Sequence, residues 1–292
     1  MTNHPRHVTI IGGGTMGCGI AGLMVTTGST VTVVEIDQAA AGRVAERVRR
    51  EWRVDAGALA RLETATDLSR TSPETDLVIE AVAEDAKLKA DVLAAAGAAA
   101  PHAILATNTS SIAIGRLAPA VHDPARFLGL HFFNPVAKSA LVEIVIGERT
   151  SSRTVKLAKS WSQTWQRHPI VVRDSPGFAT SRLGVLLGLE AIRMVEEGVA
   201  EPQDIDTAMV LGYRHPIGPL RLTDLVGLDV RLAIAEHLSG ELGDRFTPPR
   251  LLREKVAAGL LGRKTGQGFY PWTSLAAGSP DSQPTEGETH VR

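Results

Sequence analysis

The stretch Val8-Thr9-Ile10-Ile11-Gly12-Gly13-Gly14-Thr15-Met16-Gly17 decides how the rest of this chain is read. Its first four residues are all β-branched and suit a strand. The glycines then fall as G-x-G-x-x-G between that strand and a helix-forming segment, and in this setting each has a physical task. Gly12 makes the tight turn, Gly14 lets backbone approach a pyrophosphate, and Gly17 lets helix and strand pack closely. Through Gly13, Thr15 and Met16 the opening helical turn offers free N–H groups and the positive end of a dipole to phosphates. The pattern alone also occurs as a plain glycine-rich turn, and a downstream acid separates the two readings. Glu35 lies 35 − 17 = 18 residues beyond Gly17, at the end of the second predicted strand. A carboxylate there accepts from the adenine ribose 2′-OH and repels a 2′-phosphate, so NAD is expected over NADP. Asp37 is the competing acid, two residues further on. Cys18, in the first helical turn, reads as a small buried apolar residue.

Residues 8–34 carry no charge, which is long enough to span a bilayer. Seven glycines interrupt the segment, so a strand, a turn, a helix and a second strand fit better than one apolar helix. Outward from there, short β-branched runs at 77–79, 104–106, 127–130, 141–146 and 170–172 alternate with Ala- and charge-rich segments such as 39–54 and 85–100. The alternation predicts an α/β fold: a doubly wound, mostly parallel sheet covered on both faces. After Asp174-Ser175-Pro176-Gly177 the strand signals stop. Helices are expected over 178–197, 203–211, 222–238 and 248–259. These readings divide the chain into a dinucleotide-binding domain over 1–174, a smaller all-α domain over 175–274 and a frayed tail over 275–292.

Composition narrows the function. The 292 residues hold 31 Lys+Arg against 32 Asp+Glu, a balance that argues against nucleic-acid or polybasic membrane partners. With 43% hydrophobic residues the chain can bury a sizeable core. A single cysteine excludes internal disulfides and cysteine-based metal sites, no metal-ligand cluster is evident, and a cytoplasmic location is expected.

The chemistry is expected at Phe127-Leu128-Gly129-Leu130-His131-Phe132-Phe133-Asn134-Pro135. In open α/β sheets ligands sit beyond the carboxyl ends of the strands, and His131 ends a predicted strand. Glu143 interrupts the apolar run Leu141-Val142-Glu143-Ile144-Val145, and a charge in such a strand must be paired or functional. A carboxylate accepting from one imidazole nitrogen fixes the tautomer and raises the basicity of the other. The remaining eight histidines have no acid partner evident from the sequence and read as surface or core residues. The run Asn108-Thr109-Ser110-Ser111, after the strand at 104–106, is either a polar turn or a source of hydroxyls for a reacting oxygen.

Together these motifs resemble the L-3-hydroxyacyl-CoA dehydrogenase family, its short-chain 3-hydroxybutyryl-CoA members included. The resemblance also rests on Glu80-Ala81-Val82-Ala83-Glu84, Ser175-Pro176-Gly177-Phe178 and Gly262-Arg263-Lys264-Thr265-Gly266-Gln267-Gly268-Phe269-Tyr270. It implies a Rossmann domain, a helical domain that forms a homodimer, an acyl-CoA substrate, and reversible NAD-dependent oxidation of the 3-hydroxyl to a ketone. By the family's pattern His131 is the general base, Glu143 its orienting partner and Ser110 a hydrogen-bond donor to the substrate oxygen. Glu84, Lys89, Ser110, Asn134 and Lys264 match positions that line the cofactor. The competing reading puts Glu84 and Lys89 in the solvated first turns of a helix and Lys264 in an exposed loop. Where the family carries a substrate-binding asparagine this chain has Ser181, which is shorter and reaches substrate only through water. The segment Ala137-Lys138-Ser139-Ala140 departs from the usual apolar version and alters the acyl pocket. Arg43, Arg47 and Arg182 read as solvated helix faces. The alternatives are the same hydride transfer on a carrier-bound or free hydroxy acid, and a non-catalytic NAD-binding protein.

Overall fold

The computed structural model describes residues 4–272; the expected tail at 275–292 lies outside them. By internal contacts the chain separates into two compact units, residues 1–182 and a second unit beginning at Leu183. The first is built on one eight-stranded sheet. Its strands are β1 (His7–Ile11), β2 (Thr30–Val34), β3 (Leu62–Ala65), β4 (Leu77–Glu80), β5 (Ile104–Thr107), β6 (Phe127–Phe132), β7 (Leu141–Ile146) and β8 (His168–Arg173), in the order β3-β2-β1-β4-β5-β6-β7-β8. Every pairing is parallel except β6 with β7. Its helices are α1 (Thr15–Thr26), α2 (Gln38–Trp52), α3 (Ala56–Leu59), α4 (Ala86–Ala99), α5 (Ile114–Leu117) and α6 (Ser152–Thr164). Two apolar clusters sit on the unit's sheet, one around Val8, Ile10, Met24 and Val33 and the other around Val78, Leu93, Leu105 and Phe127. Parallel strands buried on both faces read as continuous apolar runs, which is why the central strands are legible in sequence. β3 is not: Leu-Glu-Thr-Ala is short, half exposed and at the sheet edge. Capping sets where the helices begin. Asp37, Asp85 and Ser151 accept from the backbone N–H groups of Ala40, Leu88 and Thr154, as N-cap residues do.

The second unit holds most of α7 (Thr180–Glu196) and all of α8 (Pro202–Thr207), α9 (Pro219–Val226), α10 (Leu228–Leu242) and α11 (Arg250–Ala257). Its core includes Leu189, Ile192, Leu220, Leu238, Phe246 and Leu252. Two expectations need correction. The helix expected over 222–238 is two helices, because Gly227 adopts φ +105°, a conformation that ends α9 and starts α10 in a new direction. The helix expected over 203–211 narrows to α8, followed by a wider π-type turn at Ala208–Gly212. The Gly262–Tyr270 segment is fastened by buried carboxylates. Asp224 accepts from the backbone N–H of Phe269 and Tyr270 at 2.8 and 2.9 Å and from the Trp272 indole at 2.8 Å. Asp206 accepts from the Tyr270 hydroxyl at 2.7 Å. Among the described residues no helix is long and apolar enough to cross a membrane.

Candidate active site

The glycine turn lies between β1 and α1. Gly12 sits at φ +97°, and a Cβ there would stand 2.8 Å from the Ala81 carbonyl oxygen, so the position excludes other residues. A Cβ on Gly17 would collide with the Gly12 carbonyl oxygen, whereas one on Gly14 would meet nothing within 4 Å. The open side of Gly14 and the absence of a side-chain cap on α1 leave the first-turn N–H groups of Thr15 and Met16 to an anion. Glu35 follows β2. Its Oε1 accepts from the Gly13 N–H at 2.7 Å and its Oε2 from the Ile36 N–H at 3.1 Å. Asp37 is spent on capping α2, so Glu35 is the acid tied to the turn. Arg47, expected on a solvated helix face, instead reaches back: its guanidinium donates to the Gly13 carbonyl and to Thr15 Oγ1, both at 3.3 Å. Cys18 is buried and its thiol donates to the Gly13 carbonyl at 3.0 Å. Burial pushes that thiol up to about 11, which keeps it protonated and unreactive.

His131 and Glu143 face each other directly across the antiparallel β6–β7 pairing. His131 Nδ1 lies 2.7 Å from Glu143 Oε2. Glu143 is fully buried and His131 is 6% exposed. The carboxylate is saturated: Oε1 accepts from the backbone N–H of Ala179 and Thr180 at 3.2 and 3.0 Å, and Oε2 also accepts from the Thr180 hydroxyl at 2.6 Å. Burial by itself would raise the Glu143 pKa, but the bonds from His131 and Thr180 outweigh it and hold the group below the ordinary carboxylate range. An ionised Glu143 can only accept, so Nδ1 carries the hydrogen that faces it, and in the neutral imidazole the lone pair is then on Nε2. Phe133 and Phe178 flank the imidazole, with ring centroids 4.5 and 5.8 Å away.

The Asn108–Ser111 turn follows β5, the parallel neighbour of β6. Asn108 Oδ1 accepts from the Phe132 N–H at 3.0 Å, which ties this turn to the residue next to His131. Glu84 Oε1 gathers the turn, accepting from Thr109 Oγ1 at 2.5 Å and from the backbone N–H groups of Ser110 and Ser111 at 3.0 and 3.2 Å. Glu84 stands ahead of α4 rather than on it. Burial raises its pKa, yet the Lys89 ammonium and the Thr109 and Ser111 hydroxyls prevail and lower it. The solvated reading fails for Lys89, which is 1% exposed and pairs with Glu80 at 2.8 Å and Glu84 at 3.2 Å. Asn134, just beyond β6, is exposed. Ser181 is half buried in the first turn of α7, whose start is anchored by Glu143. Lys264 belongs to the second unit, where it lies 2.6 Å from both Asp229 oxygens.

Two family models cover nearly all the described chain: the 3-hydroxyacyl-CoA dehydrogenase NAD-binding domain over residues 7–175 and the C-terminal domain of the same family over residues 177–272. This chain belongs to the 3-hydroxyacyl-CoA dehydrogenase family. Such a dehydrogenase is an NAD-dependent oxidoreductase, and the glycine cradle, uncapped helix and Glu35 fit that cofactor. The chain is 40% identical over 276 residues to a probable 3-hydroxybutyryl-CoA dehydrogenase of Deinococcus radiodurans, covering 90% of this chain and 99% of that protein. It is 38% identical over 286 residues to the mitochondrial hydroxyacyl-coenzyme A dehydrogenase of Sus scrofa, with 91% of each chain covered. The crystal structure of (S)-3-hydroxybutyryl-CoA dehydrogenase from Ralstonia eutropha superposes with a TM-score of 0.86 at 40% identity, covering 92% of this chain and all of that one.

For this dehydrogenase the sequence reading missed four contributors. Thr180 and the Ala179 N–H hold Glu143, Asn108 ties the serine turn to β6, and Glu80 anchors Lys89. Thr180 and Ala179 lie far from Glu143 in sequence and carry no motif of their own. Glu80 did carry a signal: like Glu143 it is a charge in an otherwise apolar strand, here at the end of Leu77-Val78-Ile79-Glu80.

Proposed function

We propose that this chain oxidises (S)-3-hydroxybutyryl-CoA or a similar short-chain 3-hydroxyacyl-CoA reversibly to the 3-ketoacyl thioester, with His131 as general base. The observation that carries this reading is the 2.7 Å His131–Glu143 bond on a sheet whose first strand leads into a dinucleotide turn. NAD held by residues 12–17 and Glu35 would supply the hydride acceptor. Glu143 fixes the imidazole so that Nε2 receives the substrate hydroxyl proton, and the resulting imidazolium stays paired with the carboxylate. In the reverse direction the protonated imidazole and the Ser110 hydroxyl donate to the ketone oxygen and stabilise the charge that develops there. By their match to the family pattern, Glu84, Lys89 and Asn134 line the cofactor, and Ser181 approaches the thioester through water.

Matched assays of NADH production from the CoA thioester, its carrier-protein equivalent and the free hydroxy acid test the substrate. Contacts to remote parts of a substrate feed into kcat/KM, so the CoA thioester should lead by at least about tenfold. Equal or greater efficiency with either other form would replace it as substrate.

We also infer a cytoplasmic homodimer formed through the second unit. Support for the dimer is the exposure of Leu183, Leu211 and Tyr213, at 68%, 75% and 76%, apolar area that a second copy would remove from water. Sedimentation equilibrium at micromolar concentration should give twice the chain mass. A single-chain mass would remove the dimer.

A further inference from the structure

Behind the serine turn lies a buried ionic cluster in which Glu80 has no part in the hydride transfer proposed above. Glu80, the last residue of β4, is fully buried, and so is Lys89 on α4. Glu80 Oε1 accepts from the Lys89 ammonium at 2.8 Å and from the Val82 N–H at 2.7 Å; Oε2 accepts from the Thr107 hydroxyl at 2.7 Å. Thr107 Oγ1 in turn accepts from the Thr109 N–H at 3.3 Å. The remaining Lys89 donors go to the Val82 carbonyl at 3.3 Å and to Glu84 Oε2 at 3.2 Å. Glu84 Oε1, on the far side of that carboxylate, holds Thr109, Ser110 and Ser111. Glu80 therefore reaches the serine turn by two routes, one through Lys89 and Glu84 and the other through Thr107.

A buried pair stripped of one partner leaves an uncompensated charge. With Glu80 gone, Lys89 would have Glu84 as its sole carboxylate and would draw it away from the turn. We propose that Glu80 is a positioning residue for this dehydrogenase: with Lys89 and Thr107 it fixes the Glu84 carboxylate and the Thr109–Ser111 turn, and thereby sets where the Ser110 hydroxyl stands. The inference rests on the reading that Ser110 serves the substrate oxygen.

A double-mutant cycle between Glu80→Gln and Ser110→Ala tests it. Glutamine keeps the shape of Glu80 but not its charge. Each single variant is expected to lower kcat, Glu80→Gln by about tenfold, and the double variant should fall no more than about twofold below Ser110→Ala, because residues acting through one group are not additive. Hydrogen exchange read by mass spectrometry should rise in the peptide containing Ser110 and Ser111 in Glu80→Gln. A structural weakening alone would lower the melting temperature and multiply with Ser110→Ala; that result overturns the inference. Wild-type turnover in Ser110→Ala overturns the reading of Ser110 and this inference with it, so the two failures are distinguishable. Should Glu80→Gln not fold, Thr107→Val removes only the hydroxyl route; it should show the same non-additivity at a smaller loss, and multiplicative losses there overturn the inference equally.

Discussion

His131→Gln should lower kcat by about 10² to 10⁴, the usual worth of a positioned general base, with NADH affinity little changed. The amide can still donate to Glu143 and fill the space between Phe133 and Phe178, so the fold is expected to persist. What it lacks is a nitrogen lone pair able to take the hydroxyl proton. The dinucleotide turn lies at a different strand end and shares no hydrogen bond with His131, so fluorescence titration with NADH should return nearly the wild-type dissociation constant. Steady-state turnover above a tenth of wild type would remove His131 from the role of base.

The second large effect is expected at Glu143. In Glu143→Gln neither orientation of the amide nitrogen keeps the wild-type set of hydrogen bonds. Turned one way it faces the N–H groups of Ala179 and Thr180; turned the other it faces His131 Nδ1 and the Thr180 hydroxyl. The first orientation sets donors against donors in a buried site; the second does so unless the imidazole moves its hydrogen to Nε2 and the Thr180 hydroxyl turns to accept. Losing a hydrogen bond to a buried charged group costs about 1.5–3 kcal/mol, and for a unit of this size each kcal/mol lowers Tm by roughly 2–4 °C. Turnover should fall by about 10- to 100-fold, because the base is held in the wrong tautomer or orientation. The pH dependence carries a further signature. Glu143 is held below the ordinary carboxylate range, so its contribution to stability is present above the unfolded carboxylate value, about 4.3, and is lost as pH falls from there toward the folded value. Thermal melts of Glu143→Gln should therefore lose less stability than wild type on acidification. A variant that melts in parallel with wild type down the acid limb, at wild-type turnover, would show that the carboxylate neither orients His131 nor is linked to folding.

The sequence made the sheet legible where burial on both faces forces largely apolar, β-branched runs, as at Val8–Ile11 and Leu141–Ile146. It failed at β3, whose exposed edge position makes no such demand, and at Gly227, where one positive-φ residue divides an otherwise uninterrupted helical pattern. The His131–Glu143 pair was readable for a particular reason. A glutamate inside an apolar strand has to be accounted for, and a histidine at the end of the preceding strand is the obvious partner. The same logic applied to Glu80 would have exposed the Lys89 pairing; Lys89 instead matched a cofactor-lining position, with a solvated helical turn as the alternative, because nothing local ties it to a carboxylate nine residues earlier.

Local spacing by itself determined the dinucleotide turn, the acid that closes it and the need of a buried glutamate for a partner, since each depends on backbone geometry within one strand–turn–helix unit or on the cost of burying a charge. Tertiary structure alone decided how those groups are held. The β6–β7 register sets His131 opposite Glu143, the start of α7 returns to saturate that carboxylate, and the cluster of Glu80, Lys89 and Glu84 organises the serine turn. Such contacts join residues tens of positions apart. Their energies come from desolvation and hydrogen bonding in a buried interior, which exists only once the chain has folded.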